Sequence, residues 1–232
     1  MCGRYTIREL ELLRAGLGII RINNIDDFVE RRILPSFNAA PGQELPIVRT
    51  SKEGDFKLDF AKWGFVPSWT QGKAKFAPVN AKAETAATSG MFRKAFVQRR
   101  CLIPADGFYE PRGPNTQKNR PWYFFQMKDH SLIAFGGLWE RWYPSPDETE
   151  DTFTLMTTVP NKFVGQIHER QPVIIDKENY EKWLDPKTPP DEVTPMLNAI
   201  NNDRLEAWPV SDAAKDSKYK GVDVIEPIGP RI

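Results

Sequence analysis

Proline constrains this chain more than any other residue. Twenty prolines, spread from Pro35 to Pro230, interrupt most of the segments in which a long helix could form. Each locks its own φ and removes a backbone donor, so it is excluded from helix interiors and from central strands. The expectation is short helices, short strands and many ordered loops. At 232 residues, with 40% hydrophobic and 12% aromatic side chains, the chain can fill a core without metal or disulfide support. No run approaches the roughly 18 apolar residues of a membrane span. Charges interrupt the first twenty positions, unlike a secretory signal, so the cytoplasm is the expected compartment.

Periodicity then distributes the elements. Residues 8–33 carry a helical pattern, with Leu10, Leu13, Leu17, Ile25, Phe28 and Val29 among charges, ended by Pro35 and Pro41-Gly42. Strands are expected at Glu44–Arg49 and Lys57–Trp63, an ordered loop at Gly64–Val79, and a helix at Ala81–Gln98. From Arg100 the pattern turns to strands at Cys101–Pro104, Gly107–Glu110, Trp122–Met127, Leu132–Trp139 and Thr152–Thr158. Polar loops lie near Arg112–Arg120 and Pro144–Asp151, and a short turn or helix at Phe163–His168. A strand at Val173–Ile175, helices at Asn179–Leu184 and Glu192–Ile200, and strands at Glu206–Val210 and Val222–Pro227 complete the reading. No repeat or linker divides the chain. The expected fold is one α+β domain over 1–232, with a mostly antiparallel, barrel-like sheet and flanking helices.

Composition narrows the chemistry. Two cysteines, Cys2 and Cys101, fit free thiols better than a disulfide framework. Cys and His are too sparse for a structural metal site, and no Gly-rich phosphate loop or dinucleotide fingerprint is present. Neither a metal nor another cofactor is expected. The net charge of +1 is uneven: Lys62–Arg100 holds eight basic residues against the single acid Glu84, leaving −6 for the rest. Such asymmetry fits either a phosphate-binding face or a solvated positive surface.

Candidate reactive groups are few. Removal of Met1, which small second residues permit, would leave Cys2 with a thiol and an α-amine on adjacent carbons. The amine, with a pKa near roughly 8, is partly neutral and nucleophilic at pH 7. Together the two groups can capture an aldehyde, the amine as a Schiff base and the thiol by closing a thiazolidine. Cys101 lacks the free amine. As a bland alternative, Cys2 is a small buried residue at a strand start. Asn80 sits at a loop-to-helix junction and could be an N-cap. Glu110 ends an aromatic strand, where desolvation would raise its pKa and suit it to general-acid work, or where an arginine could pair with it. His168 precedes an apolar strand, while His130 reads as a turn residue.

The order of these signals resembles the SOS response-associated peptidase (SRAP) family. The resemblance runs through Cys2-Gly3-Arg4-Tyr5, Phe37-Asn38-Ala39-Ala40-Pro41-Gly42, Trp63-Gly64-Phe65-Val66-Pro67-Ser68-Trp69 and Asn80-Ala81-Lys82-Ala83-Glu84-Thr85. It continues through the block from Arg100 to Glu110, Phe135–Trp139, Thr157-Thr158, His168–Pro172 and Trp208–Ser211. It implies a protein that crosslinks to abasic sites in single-stranded DNA; separately, a monomer is expected, since nothing in the sequence calls for an obligate partner. Cys2 would supply amine and thiol, Asn80 would orient the sugar and the amino terminus, and Glu110 and His168 would move protons. Arg4, Lys82 and Arg170 would hold phosphates, Thr157 would line the DNA groove, and Trp69 or Trp63 would stack on a base. Lys82 stands where arginine is common and Gln171 where methionine is usual. Three rivals stay open: a cysteine peptidase acting through Cys2, a non-covalent single-strand binding module, and thiol redox regulation through Cys2 and Cys101. The last lacks a CxxC motif.

Overall fold

The computed structural model describes residues 2–8, 10–18, 22, 35–114, 116–117 and 119–232. Met1 and the Ile25, Phe28 and Val29 part of the expected 8–33 helix lie outside them.

Five strands close into a barrel: β3 (Glu44–Thr50), β4 (Phe56–Trp63), β6 (Arg100–Ala105), β9 (Ile133–Ser145) and β10 (Glu148–Thr158). β3 pairs antiparallel with β4 and with β6, β6 with β9, and β9 with β10. A parallel seam, Thr152 to Lys62 and Phe153 to Trp63, returns β10 to β4 and completes the circle. A closed sheet has no unpaired edge to template aggregation. The Pro144–Asp151 region is no loop, because β9 and β10 run on into it as a hairpin turning at Pro146-Asp147.

A second, antiparallel sheet has the order β12 (Leu205–Val210), β8 (Trp122–Met127), β7 (Gly107–Pro111), β1 (Tyr5–Ile7), β2 (Ser36–Ala39). Side chains alternate across a strand, and β7 divides its residues between two interfaces. Phe108 faces the barrel against Phe125 (4.8 Å) and Phe135 (5.9 Å). Tyr109 faces the other way, with Phe124, Trp208, Val210, Ala214 and Val224 in a smaller cluster. By the same alternation Glu110 points with Phe108, into the joint between sheet and barrel.

Further expectations fail, among them the Val173–Ile175 strand, which reduces to a single bridge from Ile174 to Phe135. Ala81–Gln98 is not one helix: β5 (Asn80–Lys82) precedes two short helices, α2 (Ala83–Ala86) and α3 (Arg93–Gln98), which a Thr88-Ser89-Gly90 turn separates. Val222–Pro227 forms a 3-10 turn at Val222–Ile225, with a single bridge from Pro227 to Val210. Glu192–Ile200 is α5 (Pro190–Val193) followed by a 3-10 turn at Thr194–Leu197, shortened by Pro195. In the amino-terminal region, α1 covers Leu10–Leu17. Next to the barrel, α4 (Tyr180–Leu184) buries Trp183, whose Nε1–H donates to the Cys101 carbonyl (2.8 Å). Among the described residues no helix is long and apolar enough to cross a membrane.

Candidate active site

The candidate residues gather around the far end of β10. Past the point where β4 leaves one edge, β5 takes its place in parallel, pairing Leu155 with Asn80 and Thr157 with Lys82. Past the point where β9 leaves the other edge, β11 (Gln171–Pro172) pairs with Thr158 and Thr157. The strand end is thus flanked by Asn80 and Lys82 on one side and by the His168–Arg170 segment on the other. The second sheet supplies the remainder. β1 pairs with β7 at Tyr5–Phe108 and Thr6–Gly107, and the Tyr109 N–H donates to the Arg4 carbonyl (3.1 Å). Continued outward, that antiparallel register carries residues 2–3 to Glu110 and Pro111.

Cys2 is fully buried, and its backbone carbonyl accepts from Asn80 Nδ2 (2.9 Å). Its Sγ lies 3.8 Å from the Arg4 carbonyl. Asn80 therefore caps no helix; Lys82 holds the cap position of α2 without a side-chain bond. The Asn80 Oδ1 is buried and accepts no hydrogen bond among the described residues. Glu110 is fully buried and its Oε2 lies 3.4 Å from His168 Nε2. His168 Nδ1 sits 3.1 Å from the Pro111 carbonyl. A carbonyl only accepts, so Nδ1 carries the proton and Nε2 presents its lone pair to Glu110.

Burial pushes the Glu110 carboxyl up to about 8 and holds the His168 imidazole down at about 4. Between those values the pair carries its proton on the carboxyl, giving one neutral acid facing one neutral base. Burial, and then the Glu110 charge, raise the Cys2 thiol well above the usual thiol range, so it is protonated at neutral pH. A buried thiol beside a carboxyl needs a base to become a nucleophile.

The loop that presents His168 is braced by Asn161, to which the sequence reading assigned no role, and by Gln171, noted there only as a departure from methionine. Asn161 Oδ1 accepts from the Val164 N–H (2.8 Å) at the start of a 3-10 turn, and its Nδ2 donates to the Ile200 carbonyl (2.9 Å). Gln171 Oε1 accepts from the Asn161 N–H (2.8 Å), and the His168 N–H closes on the Val164 carbonyl (2.9 Å). An asparagine just ahead of a turn is a signal for this side-chain-to-backbone bracing.

The proposed DNA contacts divide. Trp69 is 67% exposed and Lys82 is exposed, whereas Trp63 is 1% exposed. The Trp63 ring lies between Tyr5 (5.2 Å) and Phe153 (6.0 Å), and its Nε1–H donates to the Val79 carbonyl (2.8 Å). Core packing removes Trp63 from base stacking; instead it braces the residue before Asn80. Thr157 is likewise buried and cannot line a groove, and its carbonyl accepts from Arg170 Nη2 (2.6 Å). Arg4 Nη2 donates to the Lys215 carbonyl (3.3 Å), and its guanidinium lies 6.0 Å from the Trp122 ring. The basic segment also disperses. Arg100 is buried, donating to the Phe96, Val97, Trp183, Asp185 and Thr188 carbonyls, while Arg99 pairs with Glu140 and Lys62 with Glu150. Lys73, Lys75, Lys82, Arg93 and Lys94 remain exposed.

Comparison with known proteins covers nearly the whole chain. Residues 1–217 match the family model described as SOS response associated peptidase (SRAP). The abasic site processing protein YoqW of Bacillus subtilis (strain 168) is 36% identical over 97% of this chain and 99% of its own. The abasic site processing protein HMCES of Xenopus tropicalis is 27% identical over 94% of this chain and 76% of its own. A crystal structure of a Bacteroides thetaiotaomicron protein superposes with a TM-score of 0.83, at 20% identity, over 98% of this chain and all of that one. This last likeness is one of fold.

Proposed function

The chain belongs to the SOS response associated peptidase (SRAP) family, and from that premise we propose that it processes abasic sites in single-stranded DNA by joining the lesion covalently to Cys2. The observation that carries the reading is the setting of Cys2. Its carbonyl is held by Asn80 Nδ2 beside the Glu110–His168 pair, with the Asn80 Oδ1 buried and unclaimed among the described residues. A buried acceptor without a donor costs about 1–3 kcal/mol. An α-amine created at Cys2 by removal of Met1 would be a donor of the kind this acceptor lacks, on the residue whose carbonyl Asn80 already holds.

The chemistry closes on these groups. His168 takes the C1′ hydroxyl proton as the deoxyribose ring opens to its aldehyde and returns it to O4′, which becomes the C4′ hydroxyl. The Cys2 amine attacks C1′, and Glu110 gives its proton to the resulting hydroxyl, which leaves as water. The thiol adds to the imine carbon and passes its proton to the Glu110 carboxylate, restoring the acid. One water is lost and two bonds form at C1′, to nitrogen and to sulfur. The raised thiol pKa places sulfur addition after imine formation, when Glu110 has become a base. Ring closure removes the iminium that would otherwise drive β-elimination and strand cleavage. Arg4, Lys82 and Arg170 neutralise backbone phosphates, and Trp69 stacks on a base.

The test is a single-stranded oligonucleotide carrying one abasic site, mixed with Met1-processed protein. A shift that survives heat and denaturant is expected; its absence at physiological salt removes the covalent claim. Cys2→Ser retains the amine and should leave only a reducible imine with strand cleavage. An adduct as stable as wild type would take the thiol out of the ring. A peptidase acting on other proteins is the poorer reading, because the base a thiol nucleophile would need, His168 Nε2, faces Glu110 Oε2 at 3.4 Å. Turnover of unfolded protein substrates would favour it.

A further inference from the structure

Arg170, offered above to a phosphate, already holds an anion. Its Nη1 and Nη2 donate in parallel to Glu84 Oε1 (2.6 Å) and Oε2 (2.9 Å). This is the planar fork that arginine offers equally to carboxylate and to phosphate. A second contact, from Nη2 to the Thr157 carbonyl, fixes the guanidinium from behind, and Thr157 is buried in the strand end. The two contacts have different characters. The Arg170 side chain is 14% exposed and anchored to backbone, whereas the Glu84 side chain is 42% exposed on the four-residue helix α2. The anchor stays when the carboxylate leaves. Lys82, two residues before Glu84, lies level with Thr157 in the β5–β10 register, so the fork and an exposed cation border the same strand end.

We propose that Glu84 is a specificity-determining residue, its carboxylate filling the phosphate position on Arg170 until a DNA backbone displaces it. This rests on the single-strand reading given above. Lone anions meet an occupied fork; a strand already held elsewhere along its backbone competes at high local concentration and opens it. The exchange has a thermodynamic signature. A phosphate that replaces Glu84 is neutralised by Arg170 only in part, because the displaced carboxylate stays beside the guanidinium and offsets its charge, so Arg170 adds almost nothing to the salt dependence of binding. With Glu84 neutralised, the fork is open and contributes about 0.7 to the slope of log K against log salt.

The experiment is fluorescence anisotropy of a lesion-free, labelled single-stranded oligonucleotide across a salt series, which excludes covalent capture. Glu84→Gln is expected to bind about two- to fivefold tighter at low salt, the scale of losing one half-exposed ion-pair competitor, with a slope steeper by about 0.7. Adding Arg170→Gln should abolish both gains. Binding by Glu84→Gln that is unchanged or weaker than wild type overturns the proposal, since it makes Glu84 inert or merely a support for Arg170. If neither protein binds the strand at any salt, the single-strand reading falls and takes this inference with it, an outcome separable from failure of the variant alone.

Discussion

Glu110 and His168 titrate in opposite directions from their ordinary values, and folding stability should record it. Folded Glu110 holds its proton to about 8, whereas an unfolded glutamate releases it near roughly 4.3. Between those values the folded chain binds the extra proton, so stability falls as pH rises. His168 is the reverse: neutral above about 4 when folded, it gains a proton below roughly 6.5 when unfolded, so stability rises with pH across that interval. The two slopes cancel from about pH 4.5 to 6.5. Above that window only the Glu110 contribution remains, a decline of about 1.4 kcal/mol per pH unit up to about 8. Urea titrations at stepped pH should show this plateau and fall. Glu110→Gln should remove the fall and uncover the rise due to His168; an unaltered profile would refute the assignment of the proton to Glu110. The same protonation states bound the proposed reaction, which needs the acid form of Glu110 and the neutral form of His168. Crosslinking rates should therefore decline above about pH 8, where Glu110 loses its proton. On the acid side they should decline as the Cys2 amine, with an ordinary pKa near roughly 8, becomes protonated, well before His168 does at about 4. Glu110→Gln should lose the upper limb and slow the reaction by about 10²-fold or more.

At the scale of single elements, β7 is the most exacting. A Cβ added at Gly107 would lie 2.0 and 2.5 Å from ring atoms of Phe124 and 2.8 Å from the Phe125 carbonyl. Phe124 is fully buried and the second obstacle is backbone, so neither can yield cheaply. Gly107→Ala is expected to cost about 3 kcal/mol, read from the shift in denaturation midpoint. It should also slow crosslinking in the surviving folded fraction, because β7 carries Glu110 three residues on; a midpoint within error of wild type would contradict the packing argument. Elements with strong local signals were legible in the sequence: Trp122–Met127 coincides with β8, and Glu44–Arg49 and Lys57–Trp63 each fall one residue short of β3 and β4. The strands missed, Tyr5–Ile7, Ser36–Ala39, Asn80–Lys82 and Gln171–Pro172, are two to four residues long and owe their form to distant partners. Asn80–Lys82 read as helix because Ala81 and the alanine-rich stretch after it favour one; pairing with Leu155–Thr157 overrides that preference. Motif order picked out Cys2, Asn80, Glu110 and His168, and the fold gathers them. It could not reveal that Trp63 and Thr157 face inward or that Glu84 occupies Arg170, since those facts depend on which face each strand turns to the core.

At the scale of the whole molecule, the site belongs to no single layer. Asn80 and the end of β10 come from the barrel side, Cys2 and Glu110 from the second sheet, and His168 from the loop braced by Asn161 and Gln171. What holds the layers in register is a joint of aromatic rings: Tyr5 against Trp63 and Phe135, and Phe108 against Phe125 and Phe135. All five are fully or almost fully buried, in one continuous cluster that also contains Cys2. Close-packed contacts of this kind separate cooperatively rather than by sliding. The site should therefore exist only while sheet and barrel are docked, and disappear in the same transition that unfolds them. The tryptophans make this measurable, with Trp63, Trp139 and Trp183 on the barrel side and Trp122 and Trp208 in the second sheet. In a urea series, intrinsic fluorescence and residual crosslinking to an abasic oligonucleotide should fall with one midpoint, and Gly107→Ala should move both equally. Crosslinking that vanished at clearly lower urea than the fluorescence change would mean that the site opens locally, as a unit less stable than the joint on which it rests.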